Sequence, residues 1–145
     1  MRAHPATVPI AVALAVLAVA AGAAAGCGGA RPPDLFVLQR TGGGAGARVA
    51  LVVNDGGTVR CNGGSPRLLP SELLLEARDL ARAIAPDFKR NLHLAPGPMT
   101  VFSYALRGPD GTIAFSDGSP SVPPELDRVA FFARRVSRGV CGLAR

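Results

Sequence analysis

The sequence predicts an α+β domain, a two-layer fold in which an antiparallel sheet of about five strands carries two helices on one face, built as two ββα units after an initial strand. Three observations predict it. Short stretches of alternating apolar residues meet at turns of Asn, Asp, Gly and Pro, the pattern of half-buried strands joined as hairpins. Two longer stretches repeat apolar residues at helical spacing. The order turn, strand, Gly-Ser-Pro, helix also occurs twice, with Thr58 and Gly64-Ser65-Pro66 standing 54 positions before Thr112 and Gly118-Ser119-Pro120.

Leu35 to Gln39 reads as the first strand; it has no partner inside either unit and is expected at a sheet edge. The run Thr41 to Ala47 contains G-x-G-x-x-A, but a dinucleotide loop must lead into a helix. This run leads into the strand Arg48–Val53, so it is a hairpin loop. Val49, Leu51 and Val53 share one face; Asn54-Asp55-Gly56-Gly57 turns the chain, and Thr58–Cys61 returns with Val59 and Cys61 on one side. Leu73, Ala77, Leu80, Ile84 and Phe88 then recur at helical spacing, with Pro70 and Glu72 at the start and Pro86 expected to end the run. In the second unit Phe102, Tyr104 and Leu106 share a face, Gly108-Pro109-Asp110-Gly111 turns, and Ile113 and Phe115 return on the apolar side. Leu126, Val129, Ala130, Ala133 and Val136, thickened by Phe132, make the last helical stripe between Pro123-Pro124-Glu125 and Gly139.

The first residues speak to location. Arg2 precedes an apolar run from Ile10 to Ala21, and small residues lead to Cys27. That is an export signal, and its run is shorter than the roughly 20 apolar residues that span a bilayer. Ala24-Ala25-Gly26-Cys27 resembles the lipobox of bacterial lipoproteins, although Ala24 stands where that pattern more often has a large aliphatic. The resemblance implies acylation of the Cys27 thiol and cleavage before it; ordinary secretion after Ala25 is the alternative. The expected organisation is a signal peptide over 1–26, a Gly/Pro tether over 27–33 and one domain over 34–145. The expected location is the outer face of the cytoplasmic membrane, the lipid on Cys27 holding the chain there.

Once Cys27 is given to lipid, Cys61 and Cys141 remain, and two cysteines in an oxidising compartment read as one disulfide. Closing that loop of about 80 residues is worth on the order of 4–5 kcal/mol in the chain-entropy model.

The chain has a formal net charge of +6, and every basic residue except Lys89 is an arginine. Arg134, Arg135 and Arg138 crowd the end of the last helix, where cations complement the helix dipole. With Arg128 and Arg145 they are the candidate anion-binding residues, for wall polymer or lipid headgroups. Export argues against nucleic acid. His93 is the only histidine after residue 26 and lies in a loop; Asp55, Asp110 and Asp117 adjoin glycines in turns. No catalytic residue, metal site or cofactor is assigned, because neither convergent ligands nor a nucleophile motif is present.

Thr58-Val59-Arg60-Cys61-Asn62-Gly63-Gly64, the stretch Leu92 to Pro98, and Gly139-Val140-Cys141-Gly142-Leu143 are similar to elements of a group of small exported proteins of high-GC actinobacteria, many of them expected lipoproteins. The group has no assigned activity, so the resemblance carries over no functional residue. A fainter similarity is to small secreted subtilisin inhibitors, whose reactive loop sits beside a second disulfide; this domain has no cysteines for one. The expected role is therefore a non-catalytic binding or accessory module at the cell envelope, with an envelope protein as partner through the loops Gly42–Gly46, Leu92–Pro98 and Ser116–Val122. Anion binding and protease inhibition are the alternatives.

Overall fold

The computed structural model describes residues 31–44 and 47–143. The expected signal peptide over 1–26, Cys27 and Arg145 lie outside the described residues. Six strands form one antiparallel sheet in the order β4-β3-β2-β1-β5-β6. They are β1 (Asp34–Gly42), β2 (Val49–Asn54), β3 (Thr58–Cys61), β4 (Arg67–Leu68), β5 (Phe102–Gly108) and β6 (Gly111–Ser116). The helices are α1 (Ser71–Ala83), α2 (Ala85–Lys89) and α3 (Pro124–Gly139).

The register aligns the inward residues of every strand. Leu38 lies opposite Leu51 on β2 and Leu106 on β5, Val53 opposite Val59, and Leu106 opposite Ile113. A period of two then places this whole row on one face, where it is fully buried under α1 and α3. The Phe36 and Phe132 rings meet edge to face, with centroids 6.1 Å apart, an arrangement worth about 0.5–1.5 kcal/mol beyond the area it buries. Val37, Gln39, Ala105 and Thr112 point from the opposite face, which no helix covers and where they are half-buried or exposed.

Three expectations are corrected. The first strand is central, not an edge: β1 pairs with β2 on one side and β5 on the other. It carries the inward row Phe36, Leu38 and Arg40, all buried, and burial of that row needs a neighbour on each side. The sheet has six strands rather than about five, because Arg67–Leu68 adds a short edge to β3. The helices number three rather than two: α1 ends at Ala83, ahead of Pro86 as expected, but Pro86 then sits in the first turn of the short α2, where its missing N–H has no helical partner to lose.

The two ββα units flank β1, but they have opposite hands. β2 and β5 are both antiparallel to β1 and so parallel to each other, while β3 and β6 lie on opposite outer sides. With α1 and α3 on the same face, no rotation superposes one unit on the other. The shared spacing reflects turn chemistry common to both hairpins.

The outer edge of β6 is closed residue by residue. Thr112 N–H donates to Asn91 Oδ1 at 3.0 Å, Ala114 N–H to the Leu92 carbonyl at 2.9 Å, and Ser116 N–H to Ser119 Oγ at 2.9 Å. Leu94 N–H returns a bond to the Ala114 carbonyl at 2.8 Å. The stretch Leu92–Leu94 is thereby stitched to the sheet and leaves few free edge groups for a second chain to pair with. At the far side, Cys61 on β3 is bonded to Cys141 just after α3, with Cα atoms 5.9 Å apart and 80 residues between them. Arg67 Nη1 donates to the Val140 carbonyl at 3.0 Å beside it.

Phe132→Ala empties the space beneath Phe36 and is expected to cost about 3–5 kcal/mol. Reduction of the Cys61–Cys141 bridge is expected to cost about 2–5 kcal/mol. Urea unfolding of both variant and wild type, with and without reductant, measures the two effects; an unchanged midpoint under reductant would show that the bridge adds nothing to stability.

Candidate functional site

The inward row of β1 begins with Phe36 and Leu38 and ends with a charge. Arg40 is only 6% exposed, opposite Val49 on β2 and Tyr104 on β5. Its Nε donates to the Ala47 carbonyl at 3.0 Å, and its guanidinium lies 4.9 Å from the centre of the Phe102 ring. Glycines make that placement possible. Gly42 has φ +95°, and a Cβ there would meet the Val101 carbonyl; a Cβ on Gly43 would meet the Phe102 ring. The ring face favours a cation, but no carboxylate forms a salt bridge with Arg40 among the described residues.

The last turns of α3 bring two more arginines to the same place. Arg134 and Arg138 stand one turn apart and, with Arg40, Phe102, Ser137 and Leu143, line a pocket of about 280 Å³. Neither forms a salt bridge among the described residues. Like charges four residues apart on a helix repel by roughly 0.2–0.5 kcal/mol. Leu143 is held over the pocket because its N–H reaches back to the Ser137 carbonyl at 2.9 Å. The Asp117 carboxylate is close enough to act on Tyr104, but its oxygens accept from the Val101 and Phe102 N–H groups at 2.9–3.1 Å.

Tyr104 reports the local field. Burial raises its phenol above the usual value of 10.0; Arg40 opposes the rise, Asp117 adds to it, and Arg134 opposes it. Two guanidiniums from different elements thus act on one hydroxyl.

The five arginines expected from the sequence separate. Arg134 and Arg138 line the pocket. Arg135 bonds Glu76 on α1 at 2.6 Å and lies 5.9 Å from the Phe131 ring, so it ties the two helices together. Arg128 is exposed and lines none of the pockets found here among the described residues. Arg145 lies outside the described residues. Arg40 was missed, although it continues the alternation of Phe36 and Leu38, which the sequence reading ended at Gln39.

The largest cavity, about 640 Å³, lies at the other end of the sheet among Asp34, Asp55, Arg78, Arg82, Phe88 and Asp110. Its arginines are paired: Arg78 with the Asp55 carboxylate at 2.7 Å, and Arg82 with Asp79. His93 lines a groove on the open face, 3.4 Å from Thr112 Oγ1, so Asp55, His93, Asp110 and Asp117 do not meet in one pocket. Among the described residues no group of three or more His, Cys, Asp or Glu side chains could hold a metal. No helix there is long and apolar enough to cross a membrane. No family model, curated protein or solved structure matches the chain.

Since folding raises the Tyr104 phenol, the folded state keeps a proton that the unfolded state releases. The stability linked to it is present below about pH 10 and is lost as pH rises through the raised value. Tyr104→Phe is expected to flatten that alkaline loss, read from urea midpoints between about pH 8 and 11.

Proposed function

We propose that this chain is an exported binding module, anchored by lipid on Cys27 to the outer face of the cytoplasmic membrane, that holds anions in the pocket of Arg40, Arg134 and Arg138 and does no chemistry on them. One observation carries the reading. A buried guanidinium without a carboxylate partner among the described residues converges with two others. A buried charge is costly unless it is paired, so an anion would relieve both the burial of Arg40 and the repulsion around it.

A protein partner is the second reading, favoured by the open sheet face. Val37, Gln39, Ala105 and Ala114 floor a shallow groove of about 380 Å³ there, and Leu94 and Pro96 flank a second of about 260 Å³.

Calorimetric titration of the full-length protein with sulfate, phosphate and citrate tests the first reading. Binding should weaken at least about tenfold between low salt and about 1 M, where the Debye length falls to about 3 Å. Arg134→Gln and Arg138→Gln should reduce it, and Arg128→Gln should not. Absence of binding by all three anions would refute the pocket as a binding site. Cys27→Ser should release the protein from membranes into the soluble fraction; unchanged detergent partitioning would remove the lipid anchor.

A further inference from the structure

We infer that the occupant of the basic pocket is a phosphoryl group, as a soluble monoester or diester; this rests on the pocket being the anion site proposed above. The donor set indicates the chemistry. Each guanidinium offers five N–H donors in a planar fork. Arg40 spends Nε on the Ala47 carbonyl and keeps its two terminal nitrogens. A carboxylate brings one negative charge and two oxygens, which a single arginine satisfies bidentately. Placed among Arg40, Arg134 and Arg138, it would leave like charges facing each other. A phosphate monoester brings a charge of about −1.5 to −2 and three strong acceptor oxygens, enough to engage all three forks. A diester carries less charge but still spreads it over tetrahedral oxygens.

The walls and volume agree. The pocket of about 280 Å³ equals the share of roughly nine liquid waters at about 30 Å³ each. That is room for a phosphoryl group and a small organic substituent against Phe102 and Leu143. The end of α3 works against an anion through its partial negative charge. Part of that charge is already answered, because Val140 and Cys141 N–H both donate to the Val136 carbonyl, each at 3.0 Å.

Pro32 and Pro33, expected in the tether, are held on the β2–β3 turn: Asn54 Nδ2 donates to their carbonyls at 2.6 and 3.2 Å, and Asp55 N–H to Pro33 at 2.9 Å. Arg40 lies six residues along β1 from Asp34, about 20 Å away at the other end of the sheet. Met99 and Val101 are exposed apolar residues at the pocket end and are what a lipid surface would use there, so vesicles form one arm of the test.

Full-length protein in zwitterionic nanodiscs is titrated with inorganic phosphate, glycerol 3-phosphate, acetate and succinate, and separately with vesicles of phosphatidylglycerol and phosphatidylcholine in equal parts. The two phosphate probes should bind at least about tenfold tighter than the two carboxylates. Arg134→Gln and Arg138→Gln should each lose about tenfold, Arg134→Lys should lose part of the phosphate preference because it keeps charge without the fork, and Arg128→Gln should change nothing. All three side chains are exposed, and thermal melts confirm that each of the four variants is folded. Equal or tighter carboxylate binding overturns the phosphoryl assignment and leaves the anion site standing. No binding of either class overturns the anion site itself. Arginine-dependent capture of the vesicles without binding of soluble phosphate overturns the soluble ligand and gives the site to a lipid headgroup. An equal loss in Arg128→Gln shows diffuse charge and overturns the pocket.

Discussion

The domain is registered on β1. This strand comes first in the described chain, yet it separates two hairpins whose backbones do not pair with each other. Its inward row therefore sets the level at which every other element packs: Phe36 under the Phe132 ring of α3, Leu38 between Leu51 and Leu106, Arg40 between Val49 and Tyr104. A slip of one residue on either side would turn that row to the open face and bury its polar neighbours. The β1–β5 pairing joins residues sixty to seventy positions apart, so closing it is costly in loop entropy. The Cys61–Cys141 bridge spans a longer separation, 80 positions, on the other side of the sheet, holding the end of α3 against β3.

The same row explains why a charge is tolerated at the edge of the core. Arg40 occupies the last inward position of β1, where its long stem packs at the edge of the core and its side chain lines the pocket. It receives one carbonyl and one ring face. These orient the guanidinium and leave its net charge in place. Four arginines of the helix layer behave differently: Arg78, Arg82, Arg90 and Arg135 each reach a carboxylate. The domain has the means to neutralise arginines and does so beside the β2–β3 turn and between its helices.

Legibility followed periodicity. Strands with a clear alternation and helices with a clear stripe were legible in the sequence, as was the Cys61–Cys141 disulfide once Cys27 is set aside. What escaped was set by distant partners. Nothing within Leu35 to Gln39 says that a strand lies between two others; that depends on β5, far along the chain. Two residues at Arg67–Leu68 are too few to show alternation. Pro86 stops a helix in the local view, whereas packing of Phe88 under the β5–β6 turn, close to Gly108 and Gly111, draws the chain into a second short helix. The candidate site was half legible: a cluster of arginines at the end of α3 was visible, but not which of them turn inward, because Arg135 is claimed by Glu76 on α1. Arg40 stayed hidden because a charged residue at an inward position does not register as apolar alternation.

The two ends of the sheet thus differ in how their charge is balanced. Beside the β2–β3 turn, carboxylate and guanidinium meet across the turn and α1, and the large cavity there is neutralised from within. At the other end three arginines line one pocket, Arg40 lying over the Phe102 ring, and the carboxylate of Asp117 is bound to backbone N–H groups of Val101 and Phe102. Those bonds fix the start of β5 and with it the Phe102 ring, so Asp117 cannot swing to Arg40 without releasing the wall of the pocket. The counter-charge for this end is thus not supplied by the described fold.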